Sequence, residues 1–147
     1  CELIYVVDDP QIRDAVLAEA ISLHQLYGVP FKVVDGRRNR GFSGANNIGA
    51  AQTRGEYLLF LNSDVIPIEP GWLGKMLARF DDEATGAVGA QLLFPYGGLQ
   101  HAGMEFRKFE QWNIWINHHP KMGLDPSLDE FGARKVAAVT GACLVLR

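Results

Sequence analysis

Three short polar stretches carry the side chains from which a site could be built: Asp8-Asp9, the run Asn39-Arg-Gly-Phe-Ser-Gly-Ala-Asn-Asn-Ile-Gly49, and Asn62-Ser63-Asp64. The apolar run Tyr57 to Leu61 leads into the third, so the Asp64 carboxylate emerges at a strand tip. There a hard oxygen ligand can meet a divalent cation already bound to a diphosphate. Asn, Ser and Asp also turn a chain by bonding their own backbone, and the local sequence leaves the two readings level. Asp8 ends an apolar run, where a carboxylate without a partner is costly, which favours its accepting hydrogen bonds from a base or ribose. For Asp9, capping the following helix is the stronger reading. In the middle stretch Gly41, Gly44 and Gly49 surround Asn39, Asn46 and Asn47. Glycines let backbone approach a ligand, and amides near a helix start attract anions, although packing of a helix against a turn explains the same pattern. Neither GxxxxGK[ST] nor GxGxxG is present, so the nucleotide fingerprints tied to those motifs do not apply.

The remaining candidates are weaker. His24, His101, His118 and His119 form no HExxH or HxxxH spacing, and a hydrogen-bonded structural role is the default for all of them. Phe106, Phe109, Trp112 and Trp115 recur every third residue, a spacing that favours helix packing over a platform for sugar stacking. Cys1 and Cys143 lie at the two extremes of the sequence without metal-ligand spacing, and read as incidental thiols.

These residues must be held by alternating strands and helices. Leu3 to Val7 reads as a strand buried on both faces, and Asp9-Pro10 as a helix start. Ile12, Ala15, Val16, Glu19, Ala20, Leu23, Leu26 and Tyr27 give the next helix its stripe, which Gly28 and Pro30 end. Further strands are predicted at Phe31 to Val34, Glu56 to Leu61, Ala87 to Phe94 and Ala142 to Leu146, with helices over Ala45 to Thr53 and after Glu69-Pro70. Gly97-Gly98 reads as a turn, and Gln100 to Arg134 as a long loop of poor periodicity. The alternation predicts an α/β fold with a mainly parallel sheet flanked by helices, in which ligands sit beyond the carboxyl ends of the strands.

Composition narrows the functions. With 147 residues, 48% of them hydrophobic, the chain suits one globular domain, and its net charge of −3 disfavours nucleic-acid binding. No apolar run approaches the roughly 20 residues of a membrane-spanning helix, and no secretory signal is visible, so a cytoplasmic setting is expected. The sequence opens and closes on apolar, strand-like runs, whereas domain boundaries tend to fall in polar linkers; the expectation is an incomplete domain.

Taken together, these stretches resemble the family 2 glycosyltransferases of GT-A fold, above all the bacterial members of polysaccharide and O-antigen assembly. The likeness is carried by Leu3-Ile-Tyr-Val-Val-Asp-Asp9, by Asn39 to Ala50 followed by Gly55-Glu-Tyr-Leu-Leu-Phe-Leu-Asn-Ser-Asp-Val65, and by Val139-Thr-Gly-Ala-Cys-Leu-Val-Leu-Arg147. It implies that Asp8 holds the nucleobase or ribose and that Asn39, Gly41 and Asn46 line the nucleotide. Asn62 and Ser63 would stand with them at the nucleotide sugar, Asp64 being the ligand of a divalent cation, Mn2+ or Mg2+. Leu99-Gln-His-Ala-Gly103 and Thr140-Gly-Ala142 look like counterparts of motifs on the sugar and acceptor side, which brings in His101, Thr140 and Gly141. The implied reaction is inverting transfer of a hexosyl or rhamnosyl unit from a UDP-, dTDP- or GDP-linked sugar to a glycan or lipid-linked acceptor, at the inner face of a membrane in the full-length protein. The family's general base is expected beyond Arg147, and its first strand before Cys1, which would leave an edge free for homodimer pairing. Asp9-Pro-Gln-Ile-Arg13 departs from the usual Asp-Asn-x-Ser-x-Asp pattern. Alternatives are a noncatalytic nucleotide-sugar-binding module and a sugar-phosphate nucleotidyltransferase; the lysine-bearing glycine loop of the latter is absent.

Overall fold

A computed structural model describes residues 1–128 and 132–147, which divide into two units, Cys1–Leu58 and Leu59–Arg147. In the first, β1 (Ile4–Val7) pairs in parallel with β2 (Lys32–Asp35), in a register that runs from Ile4 opposite Lys32 to Val7 opposite Asp35. The crossover is α1 (Arg13–Tyr27), closed by Gly28 at φ 66, whose N–H bonds the His24 carbonyl. Asp9 does not cap this helix: its Oδ1 accepts the Gln11 N–H at 2.9 Å, making a local turn that delays the helix to Arg13. The strand is not buried on both faces as expected, since Val7 is buried and Tyr5 is 50% exposed. Along α1 the apolar stripe is covered only in part; Val16, Leu17 and Ala20 are half-buried while Leu26 and Tyr27 lie open.

The second helix, α2 (Gly41–Ala50), begins inside the glycine-rich stretch instead of after it. Two side chains make this possible, because the first amides of a helix need acceptors from outside it. Asn39 Oδ1 accepts the Gly41 N–H at 2.9 Å, and the Asp8 carboxylate accepts the Arg40 N–H at 2.8 and 3.0 Å. Gly49 then lets the helix lie close on β1, since a Cβ there would stand 2.8 Å from Val6 Cγ2.

In the second unit β9 (Cys143–Leu146) lies between β3 (Leu58–Leu61) and β4 (Ala87–Gly89). Met76 of α3 (Trp72–Leu77), Phe80, Leu99, Cys143 and Val145 supply its buried apolar side chains. Burial pushes the Cys143 thiol up, as suits an inert core cysteine. The strand predicted over Ala87 to Phe94 is in fact two, β4 and β5 (Leu92–Leu93), which pair with different partners, β9 and β6 (Leu99–His101). The turn between β5 and β6 uses Gly97 at φ 91, with its N–H bonded to the Phe94 carbonyl at 2.8 Å.

The predicted loop from Gln100 onward holds a hairpin, β7 (Glu105–Phe109) with β8 (Ile114–His118). Its aromatics do not share a helix face. Phe106 and Phe109 are separated by an odd step along one strand and so face opposite ways, Trp112 closes the turn stacked on Phe109 at 5.9 Å, and Asn113 takes the left-handed conformation, φ 50.

The fold is thus mixed α/β. Parallel pairing occurs at β1–β2, while β4–β9, β5–β6 and β7–β8 are antiparallel, so these pairings depart from the mainly parallel sheet expected. The reason is local for β5–β6 and β7–β8: their connections are tight turns, and parallel strands need a crossover of a dozen or more residues. Among the described residues no helix is long and apolar enough to cross a membrane.

Two glycines test the packing. Replacing a helical glycine with alanine gains about 1 kcal/mol of propensity, but overpacking costs about 1–3 kcal/mol. Gly49→Ala, which meets Val6, is therefore expected to lower the unfolding free energy, whereas Gly74→Ala in α3, with nothing within 4 Å of its Cβ, is expected to raise it. Urea unfolding of the two variants against the parent chain checks both signs.

Candidate functional site

The candidate residues fall into groups within each unit. In the first, Asp8 follows β1 and Asp35 ends the adjacent β2, so two carboxylates stand at neighbouring strand tips. Both are engaged by backbone. Asp8 holds the Arg40 amide through both oxygens, and Gly36 is so close that a Cβ there would lie 3.2 Å from Asp8 Oδ1. Asp35 accepts the Arg37 N–H at 2.7 Å and the Arg13 guanidinium at 2.7 Å. The Arg37 amide, with Arg13 after it, holds the Asp35 carboxyl below the usual carboxylate range. Carboxylate oxygens carry about four acceptor sites in all, so Asp8 keeps capacity for a ligand while it fixes the start of α2.

Asn39 and Gly41 meet each other across that start, and Asn46 lies half-buried within α2. The sequence marks this loop as arginine-rich, but the sequence reading gave the arginines no role. Arg37 sits at φ 61, an unusual conformation for a residue with a side chain, and Arg40 Nε donates to the Gly36 carbonyl at 3.1 Å. Three arginines in four positions, Arg37, Arg38 and Arg40, were the available signal.

In the second unit Asn62, Ser63 and Asp64 do form a turn: the Val65 N–H bonds the Asn62 carbonyl at 3.1 Å. The turn uses backbone only. Ser63 and Asp64 are exposed, and their side chains make no hydrogen bond or ion pair among the described residues. The Asn62 N–H is bonded to the Ala142 carbonyl at 2.9 Å, which anchors the turn to the strand β9 that follows.

Among the described residues His101 is the buried polar side chain of this unit, 2% exposed. Its Nε2 accepts the Gly103 N–H at 3.2 Å and the Thr140 N–H at 3.3 Å, and its Nδ1 lies 3.1 Å from His119 Nδ1. Thr140 Oγ1 in turn accepts the Ala142 N–H at 3.3 Å. A continuous path therefore runs from His101 through Thr140, past Gly141, to Ala142 and on to Asn62. Sequence reasoning placed His101 on the sugar and acceptor side without this coupling, and did not single out His119. Among the described residues no group of three or more His, Cys, Asp or Glu is arranged to hold a metal by itself.

The family model described as Glycosyl transferase family 2 matches residues 3–135. The chain is 37% identical over 108 residues to the O-antigen biosynthesis protein RfbC of Myxococcus xanthus, covering 69% of this chain and 8% of that protein. It is 41% identical over 73 residues to the uncharacterized protein y4gI of Sinorhizobium fredii, covering 50% of this chain and 8% of that protein. The chain thus spans a small part of the length of the curated relatives it matches. No solved structure matches it.

Burial, with His119 adding to it, pushes His101 down to about 4 from 6.5. The folded state keeps this ring neutral while the unfolded chain takes up a proton below pH 6.5, so the stability His101 supplies is complete above that pH and is lost as pH falls toward 4. At 1.36 kcal/mol per unit, the loss amounts to about 3 kcal/mol. Urea unfolding at neutral pH and at pH 4 is expected to show the parent losing about that much more than His101→Asn; equal losses would mean that another group titrates.

Proposed function

Since the chain belongs to glycosyl transferase family 2, we propose that it is the donor-binding part of a GT-A-type transferase that moves a sugar from a nucleoside diphosphate to a glycan or lipid-linked acceptor with inversion. The name of the Myxococcus relative supports a place in polysaccharide assembly. The observation that carries the reading is the state of Asp64: an exposed carboxylate without a partner among the described residues, on a turn whose backbone is tied to Ala142.

The donor chemistry at this turn fits a hard cation. Asn62, Ser63 and Asp64 offer oxygen ligands, and Mg2+ or Mn2+ suits one or two carboxylates completed by phosphate oxygens and water. Asp64 would hold the cation, with Asn62 and Ser63 beside it; when bound, the cation supplies stabilisation of the negative charge that builds on the departing diphosphate. Asp8, Asn39, Gly41 and Asn46 bind and orient the nucleoside. The Asp8 carboxylate does so while it keeps α2 in register, and the amides at the start of α2 favour negative charge nearby. Thr140 and Gly141 stand on the sugar and acceptor side, with His101 supporting that side from within the core.

Calorimetric titration of UDP, dTDP and GDP into the chain, with and without Mn2+, tests this. One nucleotide is expected to bind in a Mn2+-dependent manner, and Asp64→Ala, an exposed change that leaves the thermal midpoint in place, to weaken it by about tenfold or more, or about 1.4 kcal/mol. Binding that is indifferent to both metal and substitution would remove Asp64 from the site.

A further inference from the structure

Next to His101 the second unit has a cavity of about 420 Å3, lined by Asn117, His118, His119, Lys121, Met122 and Leu124. Its wall is tied down. The loop after β8 turns through Lys121 at φ 59 and Gly123 at φ 86. It then returns to the buried Leu99, whose carbonyl accepts the Gly123 N–H at 2.7 Å and whose own N–H bonds the Leu124 carbonyl at 2.8 Å.

The ring protons here follow from the hydrogen bonds. His101 Nε2 accepts two backbone amides, so it carries the lone pair and the ring proton sits on Nδ1. That proton is donated to His119 Nδ1, which leaves the proton of His119 on Nε2. His118 Nδ1 is enclosed with no partner among the described residues. A bare nitrogen is less costly to bury than an N–H without an acceptor, so His118 too carries its proton on Nε2. Two successive residues of the lining thus each offer one N–H donor, from Nε2. The same arrangement speaks against a metal ion between His101 and His119, because a metal on His101 Nδ1 would send the proton to Nε2, against both amides.

The lining matches one ligand class best. Sugar hydroxyls both donate and accept, which suits two imidazole donors and the Asn117 amide, and the apolar face of a pyranose ring can pack on Met122 and Leu124. A phosphoryl group would call for clustered fixed positive charge, and of the lining residues Lys121 alone carries one, whereas each ring in these tautomers presents a single N–H donor. We propose that this cavity binds a neutral pyranose residue of the acceptor, with His118 and His119 donating to its hydroxyls and His101 as the positioning residue that sets the tautomer of His119. Only the word acceptor rests on the transferase reading.

The test is titration of the isotope-labelled chain, read by its histidine ring resonances at neutral pH. The probes are methyl α-D-glucopyranoside, methyl α-D-mannopyranoside and methyl α-L-rhamnopyranoside, with inorganic phosphate and Zn2+ as parallel arms. At least one pyranoside is expected to shift the His118 and His119 signals saturably and to leave His24, in the other unit, unmoved. Met122→Trp, at a position 58% exposed, fills the cavity and is expected to weaken binding about tenfold. His101→Asn is expected to weaken it about fivefold, with the ring-nitrogen spectrum of His119 no longer that of the Nε2–H tautomer alone. The proposal is overturned if phosphate or Zn2+ shifts these rings and no pyranoside does, if no probe shifts them, or if Met122→Trp leaves pyranoside binding unchanged. Pyranoside binding without nucleotide binding would remove the transferase reading and leave the cavity assignment standing; nucleotide binding without pyranoside binding would do the reverse.

Discussion

A buried imidazole that accepts two backbone amides is a demanding arrangement, because the ring must stay neutral and keep its proton on the other nitrogen. His101 meets that demand with Gly103 and Thr140 on one nitrogen and His119 on the other. Much of the second unit's polar architecture hangs from it. Gly103, at φ 99, comes so close to Val136 that a Cβ would lie 2.6 Å from its Cγ1, and Met104 bonds Ala138 at 2.8 Å, so the segment before Thr140 is drawn against the residues after β6. Thr140 then orients Ala142, and Ala142 holds the Asn62 amide. Unsatisfied amides inside a protein are costly, and this path disposes of several in turn while setting the backbone of the Asn62-Ser63-Asp64 turn.

The first unit solves the same problem with a charge. Asp8 spends both oxygens on one amide, Arg40, and Asn39 covers the next, Gly41. A helix of ten residues that includes Gly41, Gly44 and Gly49 has poor intrinsic propensity, so external caps and contact with β1 must hold it. For a carboxylate of this kind, structural and ligand-binding roles are not rivals. A group already desolvated on one side and fixed by backbone is preorganised for whatever it accepts on the other.

Much of this was legible in the sequence because it rests on local chemistry. Gly28 after an apolar stripe marked the end of α1, and the apolar tetrads at β1 and β3 marked strand tips where Asp8 and Asp64 would emerge. What could not be read depends on partners distant in sequence. The start of α2 is set by Asp8, more than thirty residues away, so the glycines looked like a loop. The hairpin β7–β8 carries aromatics at a spacing of three that imitates a helix; only Asn113, able to take the left-handed turn, broke the pattern. The strand over Ala87 to Phe94 was divided at Gly89, where its two halves take different partners. His119 had no local signal at all, since its role exists only because His101 lies 3.1 Å away.

That last contact bears on how substitutions in the second unit should be understood. One ring, His101, stands at the root of two paths: one through Thr140 and Ala142 to the Asp64 turn, the other through His119 to the cavity lined by His118 and Leu124. A change at His101 therefore acts on both through backbone and tautomer, without a contact to any bound group, whereas changes at Asp64 or Met122 act on one end alone. Residues at such a root carry signals that resemble those of a binding residue. The distinction lies in breadth: loss at a root disturbs two separable functions together, and loss at a tip disturbs one.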